Sequence, residues 1–136
     1  MYWLISLLVS EEAKAAILTA IADEYSRKIL MSTRDVAVSA LDLSRNSEIP
    51  ITTVYRRIEG LVQAGLLGAV KSGRTADGKW YDLYRSLLNR IDISFVDGSM
   101  HIEVEINGNV AHGNVADRFT RMWSTFAPYN QAETTP

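Results

Sequence analysis

Apolar residues recur at helical spacing in the segment that runs from Ile51 to Gly65. They stand at i, i+4, i+7 and i+8 and form one stripe on a helix: Val54, Ile58, Leu61 and Val62. Arg56 lies on the opposite face of this helix. The residues beside it on that face are Thr52, Thr53, Glu59, Gly60 and Gln63. A cation, hydroxyls and an amide are what a helix needs to read base edges in the major groove. An ordinary amphipathic helix with a solvated outer face has the same pattern.

Two further helices are predicted before this one. Ser10, Glu11 and Glu12 form a good helix start, so the first helix is expected from about Glu11 to about Met31. Its apolar face is Ile17, Leu18, Ile21, Tyr25, Ile29 and Leu30. A break at 32–35 precedes a second helix, roughly Val36 to Asn46, and Pro50 marks a turn before the third. Two short helices joined by such a turn form a helix-turn-helix.

A β-hairpin is predicted directly after the third helix. The strands are Leu66–Lys71 and Trp80–Arg85, and the connection at 72–79 is polar with two glycines. Three cations belong to this hairpin and could reach a phosphate backbone or a minor groove: Lys71, Arg74 and Lys79. A solvated turn needs polar residues in any case, and this is the simpler interpretation of the loop alone.

The C-terminal part predicts a second hairpin and a last helix. Residues 91–96 and 100–106 alternate between apolar and polar positions around the tight-turn pair Asp97-Gly98. The helix is expected from Asn114 to about Ala127, where Pro128 stops it. The fold class is therefore α+β, mainly helical. The expected domains are an apolar segment 1–10, a helix-turn-helix domain 11–88, a dimerisation or effector region 89–127, and a mobile tail 128–136.

Charge is divided unevenly along the 136 residues. The formal net charge is −2, with a balance of +2 over residues 1–91 and −4 over residues 92–136. DNA affinity would therefore have to come from a local patch. The chain has no cysteine, which excludes disulfides, thiolate metal sites and a cysteine nucleophile and suits a cytoplasmic protein.

The first nine residues, MYWLISLLV, are strongly apolar. They lack a basic n-region and a cleavage site, and Glu11 and Glu12 end the run far short of a membrane-spanning length. No membrane association is expected. Whether the run is a helix or a strand stays open. We expect it to be buried against this protein or a second copy of it.

Taken together, these elements resemble a known family. The segments 21–30, 39–44, 49–58 (with Thr-Val-Tyr-Arg-Arg at 53–57) and 61–67 are similar to those of archaeal ArsR-like winged helix-turn-helix transcription regulators. The resemblance covers about residues 15–86. It implies a homodimer that binds double-stranded DNA with one reading helix per subunit. It also implies DNA-facing positions on that helix at Thr52, Thr53, Tyr55, Arg56 and Arg57, and on the wing at Lys71, Arg74 and Lys79. Without cysteine, metal sensing in the form that some family members use is not expected.

Each candidate DNA contact has a simpler interpretation. Arg57 lies about 100° from Arg56 and suits phosphate rather than base, and both could instead form surface ion pairs. Tyr55 could only pack, and Thr52 and Thr53 could cap the helix. Gln63 lies on the same outer face. Gly60 costs about 1 kcal/mol against alanine in a helix, which suggests a close approach by DNA or a neighbouring helix.

Metal binding and catalysis find little support. His101 shares a predicted strand face with Glu103 and Glu105, but such an acidic face is usually solvated, and the loop to His112 is unconstrained. No phosphate-binding glycine motif, nucleophile elbow or known acid–base spacing is present. We expect no cofactor, no metal and no enzymatic activity.

Large apolar residues at both chain ends exceed what a small helical core needs, and they predict a homodimer interface. The residues are Trp3, Leu4, Leu7, Leu8, Phe119, Met122, Trp123 and Phe126. Alternatively, the last helix covers the second hairpin within one subunit. Three hypotheses for function follow: a dimeric DNA-binding regulator, a winged-helix module for protein–protein interaction, and a sensor of an unknown small-molecule effector whose output is DNA binding.

Overall fold

The computed structural model describes residues 4–107 and 128–130. They form an α+β structure with four helices and two antiparallel sheets. The helices are α1 (Glu11–Ala22), α2 (Glu24–Ser32), α3 (Ala40–Ser47) and α4 (Ile51–Gln63). The strands are β1 (Leu4–Leu8), β2 (Val38–Ser39), β3 (Leu67–Arg74), β4 (Trp80–Ser86), β5 (Leu88–Val96), β6 (Ser99–Asn107) and β7 (Pro128–Asn130).

The single helix predicted from Glu11 to Met31 is wrong, because Asp23 divides it into α1 and α2. Asp23 has extended backbone angles (φ −87°, ψ 126°), and its carboxylate accepts a hydrogen bond of 2.7 Å from the Ser26 amide. A side chain that binds the amide three residues ahead satisfies the first turn of a new helix. Asp23 therefore ends α1 and begins α2.

The second predicted helix starts later than expected. Val38 and Ser39 form β2, which pairs with β4, and the Ser39 hydroxyl caps α3 by accepting from the Asp42 amide at 3.1 Å. α3 ends at Ser47, and Glu48 takes a left-handed conformation (φ 55°) that turns the chain toward α4.

Helix α4 begins at Ile51 as predicted. Three of its four predicted stripe residues are buried, Val54, Ile58 and Leu61, and the fourth, Val62, is half-buried. Gly65 has φ 77°, and the amides of Gly65 and Leu66 bind the carbonyls of Val62 and Leu61 at 3.0 Å each. This is a Schellman ending, in which glycine adopts the left-handed position without a Cβ clash. It confirms the predicted C-terminal cap.

Strands β3 and β4 confirm the first predicted hairpin, and β2 joins them in a sheet of order β2-β4-β3. The pairing shifts between Ala69 and Lys71, which marks a bulge in β3. The hairpin therefore follows α4 immediately and projects from the helices.

The second sheet has the order β5-β6-β1-β7. The β5–β6 hairpin confirms the second prediction, and Asp97 (φ 51°) and Gly98 (φ 80°) make its two-residue turn. β1 resolves the open question about the N-terminal run in favour of a strand. The prediction of a mobile tail from residue 128 is wrong for residues 128–130, because they pair with β1 as β7.

One hydrophobic core joins the two sheets to the helices. The β6 residues Ile102, Val104 and Ile106 are buried in the same cluster as Ile58 and Leu61 of α4. The segment predicted as a separate unit at residues 1–10 thus shares a sheet with the C-terminal hairpin. Leu87 lies at the junction: its amide binds the Leu66 carbonyl and its carbonyl accepts from the Asn107 amide, each at 2.9 Å.

No helix within the described ranges has the length and apolar character needed to cross a membrane.

Candidate nucleic-acid interface

The outer face of α4 presents Arg56 to solvent. Its guanidinium makes no hydrogen bond or ion pair with any described residue. Thr52 and Gln63 are exposed beside it, and Thr53 is half-buried. Three types of side chain capable of hydrogen bonding thus share one helix face, opposite the buried stripe. This arrangement can contact an anionic or hydrogen-bonding surface that lies against the helix.

Arg57, the neighbouring arginine, is bound within the chain. Its Nε donates to Oδ2 of Asp23 at 2.8 Å, and its guanidinium lies 5.9 Å from the Tyr25 ring centre. Tyr25, which was predicted to face the core, is instead exposed and stacks with this cation. Arg57 thereby ties α4 to the α1–α2 junction. A phosphate contact from Arg57 stays a prediction, and it would have to compete with Asp23.

The electrostatic signature of this contact appears at Asp23. Burial raises the pKa of its carboxyl group, but hydrogen bonds from Ser26 and Arg57 outweigh burial, so the pKa lies below its ordinary value. The carboxylate is therefore a stable partner for both groups at neutral pH. Its two roles, as helix cap and as anchor for α4, reinforce each other.

The simpler interpretation of Thr52 and Thr53, as caps of α4, does not hold. Pro50 occupies the N-cap position, and no side chain of the described residues binds the first-turn amides there. Both hydroxyls are thus available for other partners. The first turn also contains no acidic residue, so nothing in it opposes an approaching anion.

The three cations of the β3–β4 hairpin differ in whether other residues of the hairpin bind them. The Arg74 guanidinium stacks over Trp80 at 5.2 Å and donates to the Gly78 carbonyl at 3.3 Å. The side chains of Lys71 and Lys79 are exposed and have no partner in the part of the chain that the structure describes. The hairpin therefore offers two free ammonium groups and one guanidinium held against a ring.

The loop at 75–79 is stiffened by its own hydrogen bonds. The Thr75 amide binds the Lys79 carbonyl at 2.8 Å, and the Thr75 hydroxyl binds both Asp77 and the Lys79 amide. The hydrogen bond from the Thr75 hydroxyl, together with the backbone amides of Asp77 and Lys79, holds the pKa of the Asp77 carboxyl below its ordinary value. Internal hydrogen bonding of this kind presents Lys79 from a defined loop.

A groove of about 830 Å³ separates α4 from α1. Arg56, Arg57 and Gly60 line one wall, and small residues of α1 such as Ala16 and Thr19 line the other. A Cβ added at Gly60 would meet no atom within 4 Å. Close packing within the described chain therefore does not require glycine at this position.

A second groove of about 690 Å³ lies between α4 and the β3–β4 hairpin, and its polar lining is acidic and phenolic apart from the amide of Gln63. Glu59 and Asp82 contribute carboxylates, and Tyr55 and Tyr84 contribute rings. Burial raises the pKa of the Tyr84 hydroxyl, and the nearby Asp82 raises it further. The cationic groups thus flank an acidic groove. No local sequence pattern predicts this groove, because Asp82 and Glu59 are 23 residues apart in the chain.

The remaining predicted residues lie elsewhere. His101, Glu103 and Glu105 are on β6, and no group of three potential metal ligands occurs among the residues described here. Leu8 is exposed, while Leu4 and Leu7 lie in β1, whose two edges pair with β6 and β7. The other predicted interface residues and His112 lie outside the described residues: Trp3, Phe119, Met122, Trp123 and Phe126.

Asp23 is the residue of this candidate site that the sequence interpretation missed. Its signal was present as an aspartate followed by Glu24 within an otherwise apolar helical pattern, which is typical of an N-cap.

Comparison with protein-family models, curated proteins and solved structures finds no match for this chain. Its function must therefore be argued from the geometry described above.

Proposed function

We propose that the protein is a sequence-specific double-stranded DNA-binding transcription regulator with a winged helix-turn-helix of the archaeal ArsR-like type. In this proposal α3 and α4 form the helix-turn-helix, α4 enters the major groove, and the β3–β4 hairpin is the wing on the backbone or minor groove. The supporting features are the α3–α4 turn at Glu48, the Schellman ending of α4 and the hairpin that follows it directly.

The observation that carries the proposal is the contrast between two adjacent arginines. Arg57 is held by Asp23, whereas Arg56 stands free on the outer face next to Thr52 and Gln63. An exposed guanidinium on a rigid helix can bind a guanine edge through two hydrogen bonds. Lys71 and Lys79 supply cations on a neighbouring element, where phosphate contacts would fix the orientation of the helix.

The proposal includes a homodimer, because one small module buries too little surface for specific binding and pairing doubles the contact. A cytoplasmic location goes with it, since an archaeal chromosome lies in the cytoplasm. A small-molecule effector of unknown identity is compatible with it, and a ligand that binds the folded state would raise the melting temperature.

The experiment compares Arg56→Ala with Arg34→Ala on a duplex selected by the wild-type protein. Arg34 is an exposed arginine outside α4 and the wing, so it matches the change in net charge. We expect Arg56→Ala to cost about 1–3 kcal/mol of binding free energy per half-site and to relax preference at one base pair of each half-site. Arg34→Ala should leave the base preference unchanged. A wild-type footprint and affinity for Arg56→Ala would remove Arg56 from the reading face.

A second function has its own supporting observation, the acidic groove lined by Glu59 and Asp82 between α4 and the wing. Carboxylates there repel phosphate but suit a basic protein segment. In this alternative the winged helix is a protein–protein interaction module without DNA binding. It predicts no retention of duplex DNA at moderate salt and loss of the protein partner on Asp82→Lys substitution.

A further inference from the structure

From Ile91 to Val96, strand β5 has no described strand along its outer edge. It ends the sheet on one side, while β6 pairs with its other edge from Leu88 to Val96. Long edge strands present rows of unused amide and carbonyl groups, and proteins commonly protect them with lysine, proline or an overlying element. β5 contains neither lysine nor proline. Its exposed edge therefore has the character of a pairing surface.

The side chains of β5 support the same interpretation. Phe95 is 76% exposed and Ile93 is 44% exposed. Both nevertheless lie on the apolar face of the sheet, because they pair with Met100 and Ile102 of β6. Ile93 stands opposite the fully buried Ile102, so the apolar face continues outward beyond the covered part of the sheet. Apolar residues of this size at an open edge mark an interaction site.

The hydrogen-bonding directions follow from the turn. In a two-residue hairpin the flanking pair, here Val96 and Ser99, is hydrogen-bonded, and the pairs then alternate along the strands. The main-chain groups of Ile91, Ile93 and Phe95 consequently point away from β6 toward the open edge. The three apolar residues are thus also the three that can donate and accept across that edge.

We propose that β5 pairs antiparallel with β5 of a second copy of this chain, so that two four-stranded sheets join into one of eight strands. A two-fold axis at Ile93 places Ile93 opposite itself and Ile91 opposite Phe95, and no like charges then stand opposite each other. An axis one residue earlier would place Asp92 against Asp92, which is unfavourable. The only charged residues of β5, Arg90 and Asp92, already form an ion pair of 2.9 Å within the strand. An interface of this kind is isologous and closes as a dimer.

This interface is distinct from the predicted one that involves β1 and residues 119–126. It also does not depend on DNA binding, because a β5-paired dimer without DNA affinity would leave it intact. A DNA-binding dimer that survives Phe95→Lys would overturn this interface and leave the proposed function standing.

The first test measures the mass of the full chain in solution by sedimentation. Phe95→Lys should convert the dimer to a monomer at a protein concentration where the wild type is fully dimeric. Met31→Lys is the matched control, because Met31 is also 76% exposed but lies on α2. It should remain a dimer. A monomeric wild type, or a dimer that survives Phe95→Lys, would contradict the proposal.

The second test fixes the register. The chain has no cysteine, so a single introduced one reports only its own contacts. Ile93→Cys places two sulfurs on directly opposed residues with a Cα separation of about 5.5 Å, within the range for a disulfide. Ser94→Cys is the control, because its Cα atoms would lie about 8 Å apart, too far to bridge. Oxidation should cross-link the first variant and not the second. Equal cross-linking, or none in the first, would overturn the register.

Discussion

The two parts of the molecule on either side of Leu87 differ in what they expose. The helical part, α1–α4 with β2–β4, exposes cations without a partner among the described residues at Arg56, Lys71 and Lys79, and its exposed apolar side chains, such as Met31 and Trp80, are spread over several elements. The sheet part, β1 and β5–β7, exposes apolar side chains along β5. Both contain an antiparallel hairpin, so the architecture alone does not determine the partner. The comparison teaches that side-chain chemistry, rather than architecture, supports the two proposals: a polyanion as the partner of one part and a second copy as the partner of the other.

The largest effect is expected from breaking the link between the two parts. Leu87 is fully buried, and Leu87→Ala removes contacts at the junction of both sheets. It should lower the free energy of unfolding by about 2–5 kcal/mol. Urea denaturation followed by circular dichroism measures this. A loss below about 1 kcal/mol would show that the junction contributes little to the core.

The next prediction sharpens the assignment of the polyanion to the helical part. Lys71→Ala combined with Lys79→Ala removes two exposed ammonium groups from the β3–β4 hairpin, so fewer counterions should be released when the proposed duplex binds. The slope of log affinity against log salt should fall in magnitude by about 2 per bound subunit, or about 4 for the proposed dimer.

Fluorescence anisotropy with a labelled duplex at several salt concentrations gives this slope. The dimer mass should not change, because neither lysine lies near β5. An unchanged slope would place these lysines away from the phosphates.

A smaller loss of stability is expected when the Asp23 carboxylate, which binds Arg57 but not Arg56, is removed. Asp23→Ala removes a helix cap and the Arg57 partner, and should cost about 0.5–2 kcal/mol of stability at neutral pH.

The free energy of unfolding, measured against pH for the wild type and for Asp23→Ala, tests this role of Asp23. The pKa of Asp23 is lower in the folded state than its ordinary value near 3.8, so its stabilising contribution is present above that value and is lost as pH falls through the lowered pKa. The variant should therefore lose less stability on acidification than the wild type does. Parallel curves would contradict this role for the Asp23 carboxylate.

The smallest effect is expected at Gly60, on the outer face of α4. Gly60→Ala meets open space and reduces the flexibility of the unfolded chain, so it should stabilise the protein by about 0.5–1 kcal/mol. Because the methyl group lies toward the proposed duplex, affinity for DNA should fall while the melting temperature rises. A lower melting temperature would show that the added methyl group clashes with other residues of the same chain.

The helical part was largely predictable because its signals are local. The stripe of Val54, Ile58 and Leu61 predicted α4, and Gly65 predicted its end, since both depend on residues within a few positions of each other. The same holds for Asp97-Gly98, whose turn geometry is set by two residues.

The features that the sequence did not predict depend on distant parts of the chain. The central place of β1 requires β6, about a hundred residues away in sequence, and β7. The division of the first helix follows from Asp23, whose carboxylate is also held by Arg57, 34 positions later. For the candidate site, the sequence identified the outer face of α4 but could not tell that Arg57 is bound and Arg56 free, because that depends on tertiary contact.

The most direct measurement of the central claim is selection of bound sites from random double-stranded DNA by the full-length protein. The account predicts enrichment of one motif with inverted symmetry, as expected when two copies each insert an α4 helix. Loss of preference at one symmetric pair of positions should follow from Arg56→Ala. Absence of any enriched motif at moderate salt would contradict DNA binding through this face, and a motif without symmetry would contradict the dimer.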